Sequence, residues 1–488
     1  MEMKFEKEAK DLLIEGVNEL NRAVSKTMGP NGSTVIIPSD KDSGKYIVTK
    51  DGVSVARAIN FKDPYKNIGA QLIKEAAEQT VKEAGDGTTT ATVLATAFVN
   101  NLREFPYNDI HKAFDDIIPK VIKELELNSR KLDIKDIIHV ASISANNDLT
   151  IANKIQDAYN HSEVVKIEES NNTEDILELV NGMTLRSGYM SKHFETDNKK
   201  AVSELTKPKV LIVDGKIDNI KPFQNIFQSI SSNNESLLLI VEYIDENILR
   251  HIESNVLSKN IKVCVMKSPG FSTHRKNLLD DIAFFTKAEV VKDLINPVPI
   301  HVLGVLESSS IYQDRSVLVK DPLVNIDERI ETYKERLKVE TDSYDKELLE
   351  QRIENLKAKV SLIKVGGKTE LEMKERFDRY DDAVKSVACA LEEGIVEGGG
   401  IALKSAAFNL NASRINESVY DNIYDSFAAP VNTILKNGNT DHRFINMFEE
   451  NIIDPLKVTK TALLNAVAVA KTILSTEAIV LHESQWTN

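Results

Sequence analysis

The residues best suited to chemistry lie in one stretch, GDGTTTATVLATAF, from Gly85 to Phe98. Three consecutive threonines, Thr88, Thr89 and Thr90, stand where a helix begins, so free backbone N–H groups and hydroxyls face any anion placed there. Gly87 leaves the backbone open to close approach. Asp86 sits among them and would repel a phosphate unless a divalent cation bridged the two, so acid and cradle together point to phosphate with Mg2+. Read alone, the same string is also an ordinary helix start capped by Asp86 and Thr88. For an isolated Gly-rich match the cap is the commoner outcome.

The elements that must position these residues follow from periodicity. Leu13, Val17, Leu20 and Val24 fall at helical spacing and stop at MGPNG, where Gly and Pro break a helix. Short strands are expected over 33–37 and 45–49, a second helix over about 65–83, and a third opening at Thr88. Further on, KVLIVDGKI, SLLLIVEYI, IKVCVMKS and AEVVKDL are apolar runs separated by amphipathic segments, the alternation of an α/β domain. That domain is expected to begin near Asn181. Two stripes, Ile326, Ile330, Tyr333 and Leu337, then Leu349, Ile353, Leu356 and Val360, predict a helical hairpin over 326–360.

Composition narrows the function. The chain has 488 residues with a formal net charge of −14, which argues against nucleic acid as a partner, and its length allows several domains. No apolar run is long enough to cross a bilayer, and the MEMKFEKEAKDLL start has no apolar signal core, so no membrane partner and a cytoplasmic location are expected. Cys264 and Cys389 lie far apart in apolar contexts, as buried free thiols do. Neither GxxxxGK(S/T) nor a kinase signature is present.

Beside GDGTTTATVLA, the segments TMGPNG, VTKDGVSVAR, NIGAQLIKEAA, ISANND, SPGF with RKNLLDDIA, IKVGGKTELEMKER, EEGIVEGGGIAL and DPLKVTKTAL occur in this order. Together they resemble the group I, GroEL-type chaperonins over nearly the whole chain. The resemblance implies a multidomain α/β fold. A mostly helical equatorial ATP-binding domain would comprise 1–132 and 393–488, a small intermediate hinge domain 133–180 and 361–392, and an α/β apical domain 181–360. It implies an ATPase that encloses non-native proteins in a homo-oligomeric ring, seven subunits by analogy, with a GroES-type co-chaperonin as a further partner. The cofactors are ATP and Mg2+, with K+ as a candidate second cation.

Carried over position by position, the resemblance makes Thr27, Met28, Gly29 and Pro30 the loop against the phosphates, with Lys50 beside them. Asp86, Gly87, Thr88, Thr89 and Thr90 become the Mg2+ and phosphate cradle, with Asp86 on the metal. Gly399 matches a close backbone approach to the nucleotide and Asp454 a ribose contact, while Ile452 is the candidate for packing on the adenine. Asp382 in RYDDAV matches the catalytic aspartate, and Asp51 a second acid near the attacking water. Protein capture falls to a groove with Tyr189, Phe194, Phe227 and Leu249, whereas Phe223, Ile226 and Ile230 read as core.

The sequence also departs from the pattern. Gln224, Glu253, Ser254 and His193 stand at groove positions that are apolar or aromatic in the family, and Ser187 stands where an arginine pairs with a neighbour's glutamate, here Glu370. The segments over 100–114 and 400–454 are shorter than the family pattern, which implies a weakened or absent second ring. A ring ATPase or scaffold with restricted clients and no general folding activity is therefore the competing expectation.

Overall fold

The computed structural model describes residues 2–38, 46–170, 172–197, 201–292, 297–340, 342–411, 418–438 and 446–481. Contacts divide the chain into two compact units: Met1–Asp157 with Glu169–Thr173 and Val365–Asn488, and Ala158–Glu168 with Glu174–Lys364.

The first unit opens with β1 (Glu2–Phe5) and α1 (Glu6–Val24), which buries Leu13, Val17, Leu20 and Val24 along one stripe. Strands β2 (Val35–Pro38) and β3 (Tyr46–Thr49) form an antiparallel hairpin. Helices α2 (Gly52–Ala58), α3 (Pro64–Ala84), α4 (Thr88–Leu102), α5 (Tyr107–Leu127), α6 (Ile137–Ser144) and α7 (Leu149–His161) follow. Local chemistry sets the ends of α3. The Asp63 carboxylate accepts the N–H groups of Tyr65 and Lys66, Pro64 takes the first position, and Gly85 closes the helix at φ 73°, the geometry that favours glycine.

In the second unit, β4 (Val165–Glu169), β5 (Ile176–Leu185) and β6 (Ser203–Thr206) precede the alternation β7 (Lys209–Ile217), α8 (Gln224–Ser232), β8 (Ser236–Ile244), α9 (Glu246–Leu257), β9 (Lys262–Lys267), α10 (Ser272–Thr286) and β10 (Val290–Val291). Strands β10, β7, β8 and β9 run parallel. Residues 210–213 and 237–241 are buried without interruption, as in a parallel sheet covered on both faces. Strands β11 (Gly304–Ile311) and β12 (Ser316–Lys320), helices α11 (Asp327–Val339) and α12 (Ser343–Lys357), and β13 (Lys359–Val365) complete the unit. The sheet order is β4-β13-β5-β12-β11-β7-β8-β9, with β10 beside β7 and β6 beside β11. The helical hairpin is present, but Val360 belongs to β13, where it is buried against β5 rather than ending the second helix.

The chain then returns to the first unit through α13 (Glu370–Glu393), β14 (Ile395–Glu397), α14 (Ile401–Asn411), α15 (Ser418–Ser426), α16 (Ala429–Lys436), β15 (Ile453–Pro455), α17 (Leu456–Ser475) and β16 (Ala478–Leu481). Strand β16 pairs with β1, Glu2 opposite Leu481, and so joins the two ends of the described chain. Helix α17 packs on α3 and α4. At the centre Phe98 meets the rings of Phe114 and Phe427 edge-on, at 5.2 and 5.5 Å, an arrangement the aromatic quadrupole favours. Both cysteines are buried free thiols, and burial pushes Cys264 up to about 12 and Cys389 up to about 11.

Candidate functional site

Three separate segments of the first unit converge on one point. The start of α4 is the first. Its N-cap residue is Gly87, at φ 87°, and no side chain caps the helix. Its first helical bond runs from Ala91 N–H to Gly87 C=O, so the amides of Thr88, Thr89 and Thr90 lie ahead of the hydrogen-bonded ladder. Asp86 does not cap α4: its Oδ1 accepts the Gly87 N–H at 2.5 Å. The alternative in which Asp86 and Thr88 serve only as caps is thereby removed.

The second segment is the turn into α2. Asp51 caps that helix, its Oδ1 accepting Val53 N–H at 3.1 Å and its Oδ2 accepting Ser54 N–H at 2.9 Å. Gly52 follows, and a Cβ built on it would lie 2.2 Å from Thr89 Oγ1 and 3.5 Å from Thr27 Oγ1. Only a glycine permits this approach. Lys50, immediately before the cap, is exposed.

The third segment contains Thr27, Met28, Gly29 and Pro30. Thr27 is buried and donates to Val24 C=O at 2.8 Å. Met28 packs with Val93 of α4 and Ile434 of α16. Gly29 and Pro30 are exposed, Gly29 at φ 86°. Asn437, just beyond α16, donates to Ser25 C=O at 2.8 Å and to Met28 C=O at 3.0 Å, tying this loop to the C-terminal part of the chain.

Acidic groups surround the point of convergence. The carboxyl of Asp382, on α13, is raised well above the usual carboxylate range, first by burial and then by the charges of Asp51, Asp86 and Asp381, with Lys385 opposing. Asp454, opposite Val396 in the β14–β15 pair, is pushed up to about 7 by burial and by the charge of Asp86, against a hydrogen bond from the Gly399 backbone. Gly399 has φ 64°. The Ile452 carbonyl accepts Gly398 N–H at 2.9 Å, and the Ile452 side chain lies beside that glycine. The site thus brings together Asp51, Asp86, Asp382 and Asp454 from four distant parts of the sequence.

This donor set fits a bridging cation. Carboxylates that repel one another would be stabilised by a divalent ion. Among the described residues no group of three or more His, Cys, Asp or Glu could hold a metal unaided. A cation here would therefore need further oxygens, of the kind a phosphate would supply.

The model of the TCP-1/cpn60 chaperonin family matches residues 20–443. The chain belongs to that family. Two crystal forms of the chaperonin gp146 from the bacteriophage EL 2 (Pseudomonas aeruginosa), solved in the presence of ATP-BeFx, are similar in structure. Form II has 25% identity and TM-score 0.67, covering 99% of this chain and 100% of that one. Form I has 26% identity and TM-score 0.63, covering 99% of each. The protein is a divergent GroEL-type chaperonin, and its α/β multidomain fold is the chaperonin fold.

The surface of this chaperonin expected to hold clients differs from expectation. Tyr189 and Phe194 are not presented to solvent: their relative exposures are 7% and 1%, and both belong to the core of the second unit. Phe194 ends a short 3-10 turn, Lys192–Phe194, that packs on α9, and Tyr189 donates from its hydroxyl to Glu195 at 2.7 Å. Both side chains gain more from the sheet interior than from exposure. Phe227 and Leu249 are half-buried against the same core. Phe223, Ile226 and Ile230 are core, as expected. Two of the four polar substitutions meet, with His193 Nδ1 3.4 Å from Glu253 Oε2. Ser187 donates to Lys267 C=O at 2.5 Å, and Glu370 pairs with Lys374 of its own helix. Residues 412–417 and 439–445, in one of the shortened segments, lie outside the described residues.

Sequence reasoning missed three polar residues here. Ser144 and Ser386 both reach the Asp86 carboxylate, and Asn437 holds the Thr27 loop. Ser386 carried a signal in its spacing of one helical turn from Asp382, and Ser144 in its place within ISANND.

Proposed function

We propose that this chaperonin binds and hydrolyses ATP with Mg2+ at the convergence of the Thr27 loop, the α2 turn and the α4 start, and uses the cycle to enclose non-native proteins in a homo-oligomeric ring. The observation that carries this reading is the approach of Gly52 to Thr89 and Thr27 beside an uncapped helix start. Phosphate oxygens would take the amides and hydroxyls of Thr88, Thr89 and Thr90, with Thr27, Met28, Gly29, Pro30 and Lys50 on the other side. Gly399, Ile452 and Asp454 would hold the nucleoside. Asp86 would hold Mg2+, which supplies neutralising charge at the phosphate oxygens.

Asp382 is assigned to orient the attacking water and accept its proton, with Asp51 as the second acid. A carboxyl raised by its neighbours is a stronger base once ionised, and the cation that offsets Asp86 favours ionisation. Ring closure and a three-domain division with a hinge over 133–180 and 361–392 belong to the same proposal, as do a cytoplasmic location, K+ as a second cation and a GroES-type co-chaperonin. Asp382→Ala is expected to bind ATP within about threefold of wild type while turnover falls at least about a hundredfold, measured by isothermal titration and phosphate release. Wild-type turnover in the variant would overturn the assignment.

A second reading is favoured by the burial of Tyr189 and Phe194 and by the His193–Glu253 pair: a ring ATPase with restricted clients. Refolding yields of several unrelated denatured proteins, with and without ATP and a co-chaperonin, separate the two. Broad gains support general folding, whereas turnover without gain supports the restricted ring.

A further inference from the structure

Asp86 is bound on both sides. While Oδ1 takes the Gly87 N–H, Oδ2 lies 2.7 Å from Ser144 Oγ at the end of α6 and 3.0 Å from Ser386 Oγ on α13. The two hydroxyls are themselves 2.7 Å apart. Two hydroxyl protons thus face three short contacts, so either both hydroxyls donate to the carboxylate or one donates to it while the other donates to its neighbour. Ser386 is fully buried, and a hydroxyl in that setting has a fixed partner set.

Placement gives the triangle its meaning. Ser386 lies one turn beyond Asp382, so the two share a face of α13, about 6 Å apart along the axis. Next to it, the Lys385 side chain lies so close to Gly85 that a Cβ there would be 2.4 Å from Lys385 Cβ. Helix α13 therefore rests on the α3–α4 turn through a backbone approach, and Ser386 fastens it to the one carboxylate assigned to the metal.

We infer that Ser386 and Ser144 form a hydroxyl clamp on Asp86 that sets the position of α13, and with it Asp382, over the start of α4. Ser386 is a positioning residue: it acts through Asp86 and the helix it shares with Asp382. A carboxylate has about four lone-pair positions, so the clamp leaves Asp86 able to take a cation while fixing the direction in which it does so. The inference rests on the ATPase reading for its catalytic consequence but not for its structural one.

The test compares Ser386→Ala, Ser386→Thr and wild type in the full-length chain. Loss of an outer partner of a metal-side carboxylate typically costs about 10–100-fold. Ser386→Ala is expected to lower kcat at least about tenfold with Kd for ATP within about threefold, and Ser386→Thr to restore at least half of the rate. In the nucleotide-free protein, amide exchange in peptides of α13 should quicken in Ser386→Ala while peptides of α5 stay at wild-type rates. An alanine variant with wild-type kcat and unchanged α13 exchange overturns the clamp, as does equal loss of kcat and affinity without rescue by threonine. Absence of ATP turnover in wild type would refute the ATPase reading, and the exchange comparison would still decide the clamp.

Discussion

Asp454 provides a residue-scale test that needs no turnover. Its carboxyl is pushed up to about 7, so the folded chain holds a proton there that the unfolded chain, near 3.8, releases. A group whose folded pKa is raised favours the folded state below the unfolded pKa and loses that contribution as pH rises through the window from about 4 to about 7. Asp454→Asn keeps an acceptor for the Gly399 N–H and removes the charge. It should raise the nucleotide-free stability at pH 8 by about 1–2 kcal/mol, a partly exposed carboxyl realising only part of the linkage, and the gain should be clearly smaller at pH 5, vanishing only below about pH 4. Urea unfolding at the two pH values checks this, and an equal gain at both would refute it. Residue by residue, the start of α4 at Thr88 was legible because a threonine run after Gly-Asp-Gly favours a helix start. Asp51 as the cap of α2 was not, because a carboxylate before Gly reads the same whether it faces solvent, water or amides. Tyr189 and Phe194 were misread for a related reason: an aromatic group in an extended segment has the same sequence signature on either face.

At the scale of elements, the turn into α2 is the most constrained part of the site. Gly52 occupies the first position of a helix, where alanine is intrinsically better by up to about 1 kcal/mol. Its Cβ would nevertheless fall 2.2 Å from Thr89 Oγ1. Gly52→Ala should therefore lower the unfolding midpoint of the first unit despite the better helix propensity and weaken ATP binding about tenfold, roughly 1.4 kcal/mol, because α2 and α4 must move apart. Equal affinities in titration calorimetry would refute the convergence of the two turns. The parallel strands were legible almost to the residue, since β7 and β8 are buried on both faces and read as unbroken apolar runs. The end of α12 was less so, because Val360 continues the helical spacing yet pairs with β5. Periodicity reports burial, and a strand residue buried just after a helix satisfies the same pattern.

Among the described residues the two largest hydrophobic cores lie one in each unit, and they should respond separately. In the second unit Arg352 donates from Nε to Asp281 Oδ2 at 2.7 Å and from Nη2 to Oδ1 at 2.8 Å, while the Tyr333 hydroxyl donates to Oδ1 at 2.5 Å. This buried network fixes the α11–α12 hairpin to α10. Arg352→Leu leaves the Asp281 charge without its principal partner, a change that costs about 3–5 kcal/mol in buried pairs. On the proposed function ATP would act on the other core: at about one hundred times Kd a ligand stabilises the state that binds it by about 2.7 kcal/mol. Urea unfolding followed by exchange in peptides of each unit should show Arg352→Leu lowering the midpoint of the second unit alone and ATP with Mg2+ raising that of the first alone. The two effects should add in the variant with nucleotide, since independent sites are additive. A single transition shifted by both would mean that the cores unfold as one, and the proposed nucleotide site could then not be reinforced without stiffening the second unit as well.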